Sequence, residues 1–283
     1  MPLIKAKIRL GYPPDFLPAF LLYNILEEKM KTEGITFTPA CLDPSALEKR
    51  LLKGELEAGN ISLISLFNVA NKFAVIPFGV SAVKNTGPVL AALTDMYPKQ
   101  LEGATLGLSN PASTAAFLSR LFLPPVKEEV LPAAKLVQAV KDSSVRAGLF
   151  EGQARWFYED LGLKKVADLG EWFYEKTRLP LPENVWVIRK DLGRDVMRKV
   201  TRLLRDSLEA SVRCGEEALA FAGKFAIIND AGVARLKNIL QEIDPESLQM
   251  ISKHTKDAID ILQKNFLKVG AITDMKKIEY VDM

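Results

Sequence analysis

The sequence predicts an α/β fold from three observations. Short apolar, strand-like runs alternate along the chain with longer segments of helical spacing. Gly/Pro clusters fall at the joints, as in Gly11-Tyr12-Pro13-Pro14, Asp43-Pro44 and Asn85-Thr86-Gly87-Pro88. The third is the stretch from Asp168 to Lys190, which joins a helix, a rigid turn and a strand. Asp168 can cap the free N–H groups of a first turn, and Glu171 stands three residues on in a capping-box-like arrangement. Leu169, Trp172, Phe173 and Lys176 keep helical spacing, and Leu179-Pro180-Leu181-Pro182 ends it, because proline has no N–H and holds its predecessor extended. Val185-Trp186-Val187-Ile188 then reads as a short buried strand.

The other elements follow in order. Ile4–Leu10 alternates apolar and basic residues and is expected to be the first strand. Gly11–Asp15 reads as a turn and Phe16–Lys31 as an amphipathic helix closed by Gly34. Ligands of open α/β sheets collect at the C-terminal ends of strands. Tyr12 and Asp15 are therefore candidates to line a cleft, with helix capping as the competing role for Asp15. Ile35–Cys41 is the second strand, and Asp43-Pro44 starts a helix, Ser45–Lys53, that stops at Gly54. Glu55–Ser62 opens through a short strand into the helix Leu63–Asn71. Phe73–Val80, Val89–Leu93 and Thr105–Leu108 are strand-like, and Ser109–Ser113 leads into a helix running to about Phe122. A helix start presents N–H groups without internal partners and the positive end of the dipole, which suits a carboxylate or phosphate. Ser113 and Thr114 would add hydroxyl donors beside Ala115, and an ordinary capped helix start is the competing reading. Val126–Leu131 is a strand, Ala133–Lys141 a helix, and Val145–Gln153 begins as a strand. Arg155–Gly162 reads as a helix whose stripe Trp156, Phe157 and Leu161 is core rather than a cofactor box. Asp191–Arg213, Glu216–Lys224, Ile227–Gln241 and Glu246–Lys268 are helical, and the only histidine, His254, falls on the solvated face of the last.

At 283 residues the chain suits one large domain or two lobes of ordinary size. A formal charge of +3 without a basic block excludes a nucleic-acid-binding reading. Cys41 and Cys214 make no metal-ligand or redox spacing, so buried free thiols are expected, with no metal and no cofactor. The N-terminus runs straight into an alternating strand without a signal peptide, and no apolar run spans a bilayer. The expected location is the cytoplasm, with no membrane partner.

The segment "DLGEWFYEKTRLPLP…VIRK" resembles the dihydroxynaphthoate synthases, which act late in the futalosine route to menaquinone and are related to the chorismate dehydratases. The resemblance covers roughly residues 40 to 190 and implies the two-lobed fold of the type 2 periplasmic binding proteins. One lobe would hold residues 1–86 and 190–283 and the other 87–189, with crossings near Lys84–Val89 and Val187–Gly193 and ligand in the cleft. It places a ligand-facing serine on Ser62, with Asn60 and Ser65 as neighbours, and capping as the competing role for each. The family's Thr-Thr-Ala, which holds the ligand carboxylate, falls on Ser113-Thr114-Ala115. A Gly-x-Gly-Pro falls on Asn85–Pro88, where Asn85 would replace the first glycine if its φ is positive. The first loop, Ser-Pro-Cys-Pro-Asn-Asp-like in the family, keeps only prolines and one acid here.

The departure that matters lies at the end of the strand before Gly152. The synthases have a histidine there, taken as the catalytic base, followed by glutamate. Here Glu151 matches the glutamate and Phe150 stands in the base position, or the strand is short and the histidine is deleted. The family's reaction is a cofactor-free lyase step, proton abstraction next to a carbonyl followed by elimination, which needs a base poised near neutral pH. Glu151 is the candidate to replace it. Two functions follow: a synthase-like lyase binding a small cyclic or aromatic carboxylate, or a non-catalytic cytoplasmic binding protein or sensor using the same cleft. The chorismate dehydratase branch is a third, disfavoured by Asp-Leu-Gly-Glu-Trp.

Overall fold

A computed structural model describes residues 5–80, 82–225 and 250–283. The chain divides into two units: unit 1, made of Met1–Ser81, Asn184–Ser252 and Asp274–Met283, and unit 2, made of Ala82–Glu183 and Lys253–Thr273.

Unit 1 is built on a sheet of β1 (Ala6–Tyr12), β2 (Ile35–Cys41), β3 (Ala58–Ser62), β4 (Phe73–Val75) and β12 (Asn184–Arg189), in the order β2-β1-β3-β12-β4. β1 runs parallel to β2 and β3, and β12 runs antiparallel to β3 and β4. The first strand extends past the expected Leu10: Gly11 and Tyr12 continue the ladder opposite Ala40 and Cys41 rather than turning. Helix α1 (Phe16–Leu26) is shorter than expected and not amphipathic, since every residue from Phe16 to Ile25 is buried. Its partners are α7 (Arg194–Cys214) and α8 (Glu216–Gly223). Asn24 secures the first of these contacts by donating to the Ser207 carbonyl at 3.2 Å and to Ser211 Oγ at 3.0 Å. Helices α2 (Pro44–Leu52) and α3 (Leu63–Val69) belong to the same unit, and Pro44 opens α2 as expected although Asp43 makes no side-chain cap bond. Glu57, just before β3, joins two strands: its carboxylate takes the Arg9 N–H at 2.8 Å and the Arg9 guanidinium at 2.9 and 2.6 Å, with Arg189 Nη1 at 3.7 Å.

Unit 2 contains β6 (Val89–Ala92), β7 (Thr105–Leu108), β8 (Lys127–Val130), β9 (Ala147–Phe150) and β10 (Lys164–Asp168), in the order β10-β6-β9-β7-β8. β6 is antiparallel to β9 and β10, while β7 is parallel to β8 and β9. A two-stranded ribbon pairs β5 (Ala82–Val83) with β11 (Leu181–Pro182). Helices α4 (Thr114–Phe122), α5 (Ala133–Lys141) and α6 (Leu169–Thr177) supply helical faces. Val89, Leu136, Val140, Val145, Phe150 and Leu163 form a core on this sheet.

Asp168 caps α6 as the sequence indicates, but Glu171 does not reach back to complete a capping box and pairs instead with Lys165 at 3.1 Å. The expected helix Arg155–Gly162 is a 3₁₀ turn, Gly152–Trp156, followed by turns. Gly152 enters it with φ of 54°, a left-handed conformation that does not extend a regular α-helix. Asn85 is not among the residues of positive φ, so its expected glycine-like role is not realised.

The last helix, α9 (Lys253–Lys268), begins later than expected, with residues 250–252 outside any helix. It belongs to unit 2, although the sequence grouped the whole tail from residue 190 with the first lobe. The cause is its apolar face: Phe266 is fully buried, its ring 5.7 Å from that of Phe117, and α9 packs on β11. The expected helix Ile227–Gln241 and the expected helix start at Asp244–Glu246 lie outside the described residues, as does Ile4. Both cysteines are free and exposed rather than buried, because Cys41 ends an edge strand and Cys214 ends a surface helix.

Candidate functional site

The start of α4 in unit 2 is the best-formed candidate. Ser113 is its N-cap, with extended backbone geometry, and its Oγ accepts the Ala116 N–H at 3.0 Å. The same oxygen donates to Glu151 Oε1 at 2.9 Å. The single hydroxyl proton of Ser113 is thereby committed to Glu151. Thr114 is 2% exposed and donates its hydroxyl to the Glu183 carbonyl at 2.9 Å. Ala115, buried beside them, completes the expected trio. The expectation that Ser113 and Thr114 present hydroxyl donors to a ligand is therefore modified: both protons point into unit 2.

Strand β9 explains how Glu151 arrives there. Successive side chains of a strand face opposite ways. Phe150, in the position expected for the synthases' histidine, is 1% exposed and packs in the core cluster of Val89, Leu136 and Val140. Glu151, the next residue, is half-buried and meets Ser113. A short connection separates it from Arg155, which is buried and paired through Nη1 with the equally buried Glu183.

In unit 1 the expected serine, Ser62, is the N-cap of α3 and is buried. It donates its hydroxyl to Glu48 Oε1 at 2.8 Å, and its backbone N–H reaches the same oxygen at 3.2 Å. Ser65 Oγ lies 3.1 Å from Ser62 Oγ, so the expected neighbours Ser62 and Ser65 do meet. Asn60 is half-buried in β3 opposite Trp186. Tyr12 is 6% exposed, and burial, followed by the neighbouring Cys41, pushes its hydroxyl up to about 12, which keeps it neutral. Asp15 caps α1 by accepting from Leu17 N–H at 3.3 Å, the competing role anticipated for it. His254 is exposed on α9.

Sequence reasoning missed Glu48, Arg155 and Glu183. Glu48 directly follows the core-facing Leu47, and nothing local marks it as the partner of a serine beyond a strand. Arg155 and Glu183 are 28 positions apart and pair only through the tertiary fold. Among the described residues no group of three or more His, Cys, Asp or Glu side chains is arranged to hold a metal ion, and no helix is long and apolar enough to cross a membrane.

Residues 8–253 match the family model described as menaquinone biosynthesis. A 1,4-dihydroxy-6-naphthoate synthase of Thermus thermophilus is 27% identical over 214 residues, which cover 76% of this chain and 78% of that enzyme. The Streptomyces coelicolor enzyme of the same name is 34% identical over 167 residues, 57% of each chain. A crystal structure of an Archaeoglobus fulgidus protein matches with a TM-score of 0.85 at 26% identity, covering 94% of this chain and 98% of that one. The alkanesulfonate-binding protein of Xanthomonas axonopodis pv. citri matches with a TM-score of 0.74 at 16% identity, covering 98% and 97% of the two chains. The fold is that of the periplasmic binding proteins.

Proposed function

This chain belongs to the menaquinone biosynthesis family, and from that premise we propose that it is a dihydroxynaphthoate-synthase-like lyase acting on a small cyclic carboxylate. The start of α4 at Ser113–Ala115 binds the substrate, and Glu151 takes the place of the missing histidine as proton acceptor. The location proposed for the reaction is the cytoplasm, as the resemblance implies, and no cofactor is required.

The observation that carries this reading is the 2.9 Å contact between Ser113 and Glu151. It puts a carboxylate at the helix start to which the family resemblance assigns the ligand, held in one orientation by a hydroxyl donor. A general base has to be within hydrogen-bond reach of the proton it takes, so placement precedes basicity as a criterion. With Phe150 turned into the core, Glu151 is the titratable side chain that β9 delivers to this helix start.

The test is product formation from the synthases' cyclic futalosine-derived substrate at high protein concentration, with Glu151→Gln and Ser113→Ala in parallel. Expected are product with the native chain, loss of about 100-fold or more in kcat for Glu151→Gln, and a smaller loss for Ser113→Ala, in keeping with general-base catalysis. A folded native chain that forms no product would overturn the lyase assignment. The second reading, a binding protein without turnover, is favoured by one observation: no histidine stands at the end of β9. Saturable binding of the same substrate without product would select it.

A further inference from the structure

Stability alone does not account for the ion pair inside unit 2. Arg155 and Glu183 are both buried and meet through Arg155 Nη1, yet Arg155 Nε has no hydrogen-bond partner among the described residues. Taking two charges out of water costs free energy, which their attraction repays only when the remaining donors are also satisfied. Apolar residues of similar volume commonly serve as well or better. A pair left incomplete in this way adds little stability.

Its connections give it another task, because they close a circuit. Glu183 is the last residue of its segment of unit 2, and its carbonyl accepts the Thr114 hydroxyl at 2.9 Å. One peptide joins Thr114 to Ser113, whose hydroxyl donates to Glu151 Oε1 at 2.9 Å. From Glu151 the 3₁₀ turn Gly152–Trp156 carries the chain back to Arg155. The guanidinium lies over the Trp156 ring, 4.6 Å from its centroid, so its plane is held as well. In a closed circuit each contact limits the others. Cutting the ion pair frees the Glu183 peptide to shift, and with it the acceptor of Thr114 and the first turn of α4.

We propose that Arg155 and Glu183 are positioning residues that lock the first turn of α4 and so hold the Glu151 carboxylate in one orientation. The catalytic consequence rests on the lyase reading. Both side chains work from the interior of unit 2, through Thr114 and Ser113. Misplacing a reacting group by about 1 Å can cost about 100-fold in rate, so a sealed pair can govern a reaction without reaching it.

The experiment compares the native chain with Arg155→Met/Glu183→Leu, with Thr114→Val, with Thr114→Ser and with the triple combination of Thr114→Val and the double variant. Circular dichroism and melting establish folding. Turnover is measured with the cyclic futalosine-derived substrate, and amide hydrogen exchange at Thr114, Ala115 and Ala116 is followed by NMR. The double variant should melt at or above the native temperature, as replaced buried pairs commonly do. Its kcat should nonetheless fall about 10–100-fold, with a smaller change in KM, and the three amides should exchange faster. Thr114→Val should lose a similar factor and Thr114→Ser should keep the native rate. The triple combination should lose no more than the double variant, because both cut one circuit.

If the double variant does not fold, the contrast between Thr114→Val and Thr114→Ser decides. A folded double variant with native turnover and native exchange overturns the positioning role and leaves the lyase reading standing. A rate loss that follows a lowered melting temperature and adds to that of Thr114→Val marks a merely structural pair and also overturns it. A native chain without product overturns the lyase reading. Hydrogen exchange then still decides whether the pair locks the helix start.

Discussion

Gly87 and Asp168, 81 positions apart, are joined by a hydrogen bond of 3.1 Å from the Gly87 N–H to Asp168 Oδ1. The same oxygen accepts from Gly170 N–H at 2.7 Å and Glu171 N–H at 3.0 Å. The cap of α6 therefore also anchors the segment that enters β6. The backbones come so close that a Cβ on Gly87 would lie 2.3 Å from Gly170 N and 2.6 Å from Gly170 Cα.

Gly87→Ala should therefore destabilise unit 2, since the atoms in the way are backbone and cannot rotate aside. The expected loss is about 1–3 kcal/mol, the usual scale for overpacking. Asp168→Ala should cost about 1–2 kcal/mol as the loss of a cap, and Asp168→Asn less because it retains an acceptor. Urea unfolding of the three variants checks both magnitude and order. Wild-type stability in Gly87→Ala would show that the two segments separate freely.

Glu57 sets an acid limit on unit 1. Burial acts to raise its carboxyl, but the side-chain and backbone hydrogen bonds of Arg9, with the charges of Arg9 and Arg189, outweigh burial and hold it below 4.5. The unfolded chain consequently binds this proton more readily than the folded one, and stability rises with pH through the interval. The contribution is fully present above the unfolded value of 4.5 and is lost as pH falls through the lower folded value. Glu57→Gln should flatten the acid limb of a plot of melting temperature against pH below about 4.5 and leave a lower plateau at neutral pH. Parallel curves for the two proteins would show that Glu57 does not govern that limb.

Phe266 ties α9 to unit 2. Removing a fully buried aromatic ring costs about 3–5 kcal/mol through lost transfer energy and the cavity left behind. Phe266→Ala should accordingly speed amide hydrogen exchange in β6, β7 and β9 more than in β1 and β3. Equal acceleration in both sheets would place the contribution of α9 elsewhere.

Much of this was legible from local sequence. Asp43-Pro44 opens α2, Ser113 caps α4, Ala133–Lys141 is a helix with the expected ends, and Asp168 caps α6. Each depends on residues within a turn of one another. The run Phe16–Ile25 was harder, because it is buried throughout with α7 and α8 packed against it, so polarity carries no face signal. Arg155–Gly162 has helical spacing, yet the chain forms only the 3₁₀ turn Gly152–Trp156, entered at positive φ, followed by further turns. At the candidate site, the positions of Ser113, Thr114 and Glu151 could be marked one by one. Their mutual contacts could not, nor could Arg155 or Glu48, since a side chain's partner across the fold leaves no periodic trace.

The return of α9 to unit 2, followed by Tyr280 bridging back to Val75 in unit 1, has a consequence during synthesis. Neither unit is a contiguous stretch of chain: unit 2 is finished by Lys253–Thr273 and unit 1 by Asp274–Met283. A ribosome delivering this protein emits both sheets before the segments that complete either one. Much apolar surface then waits for its cover until those segments have been made. A fragment ending at residue 183 would lack α9, so Phe117 would have no Phe266 to pack against. Exposure of that surface while the later segments are still unmade is the aggregation hazard that the chain's connectivity creates.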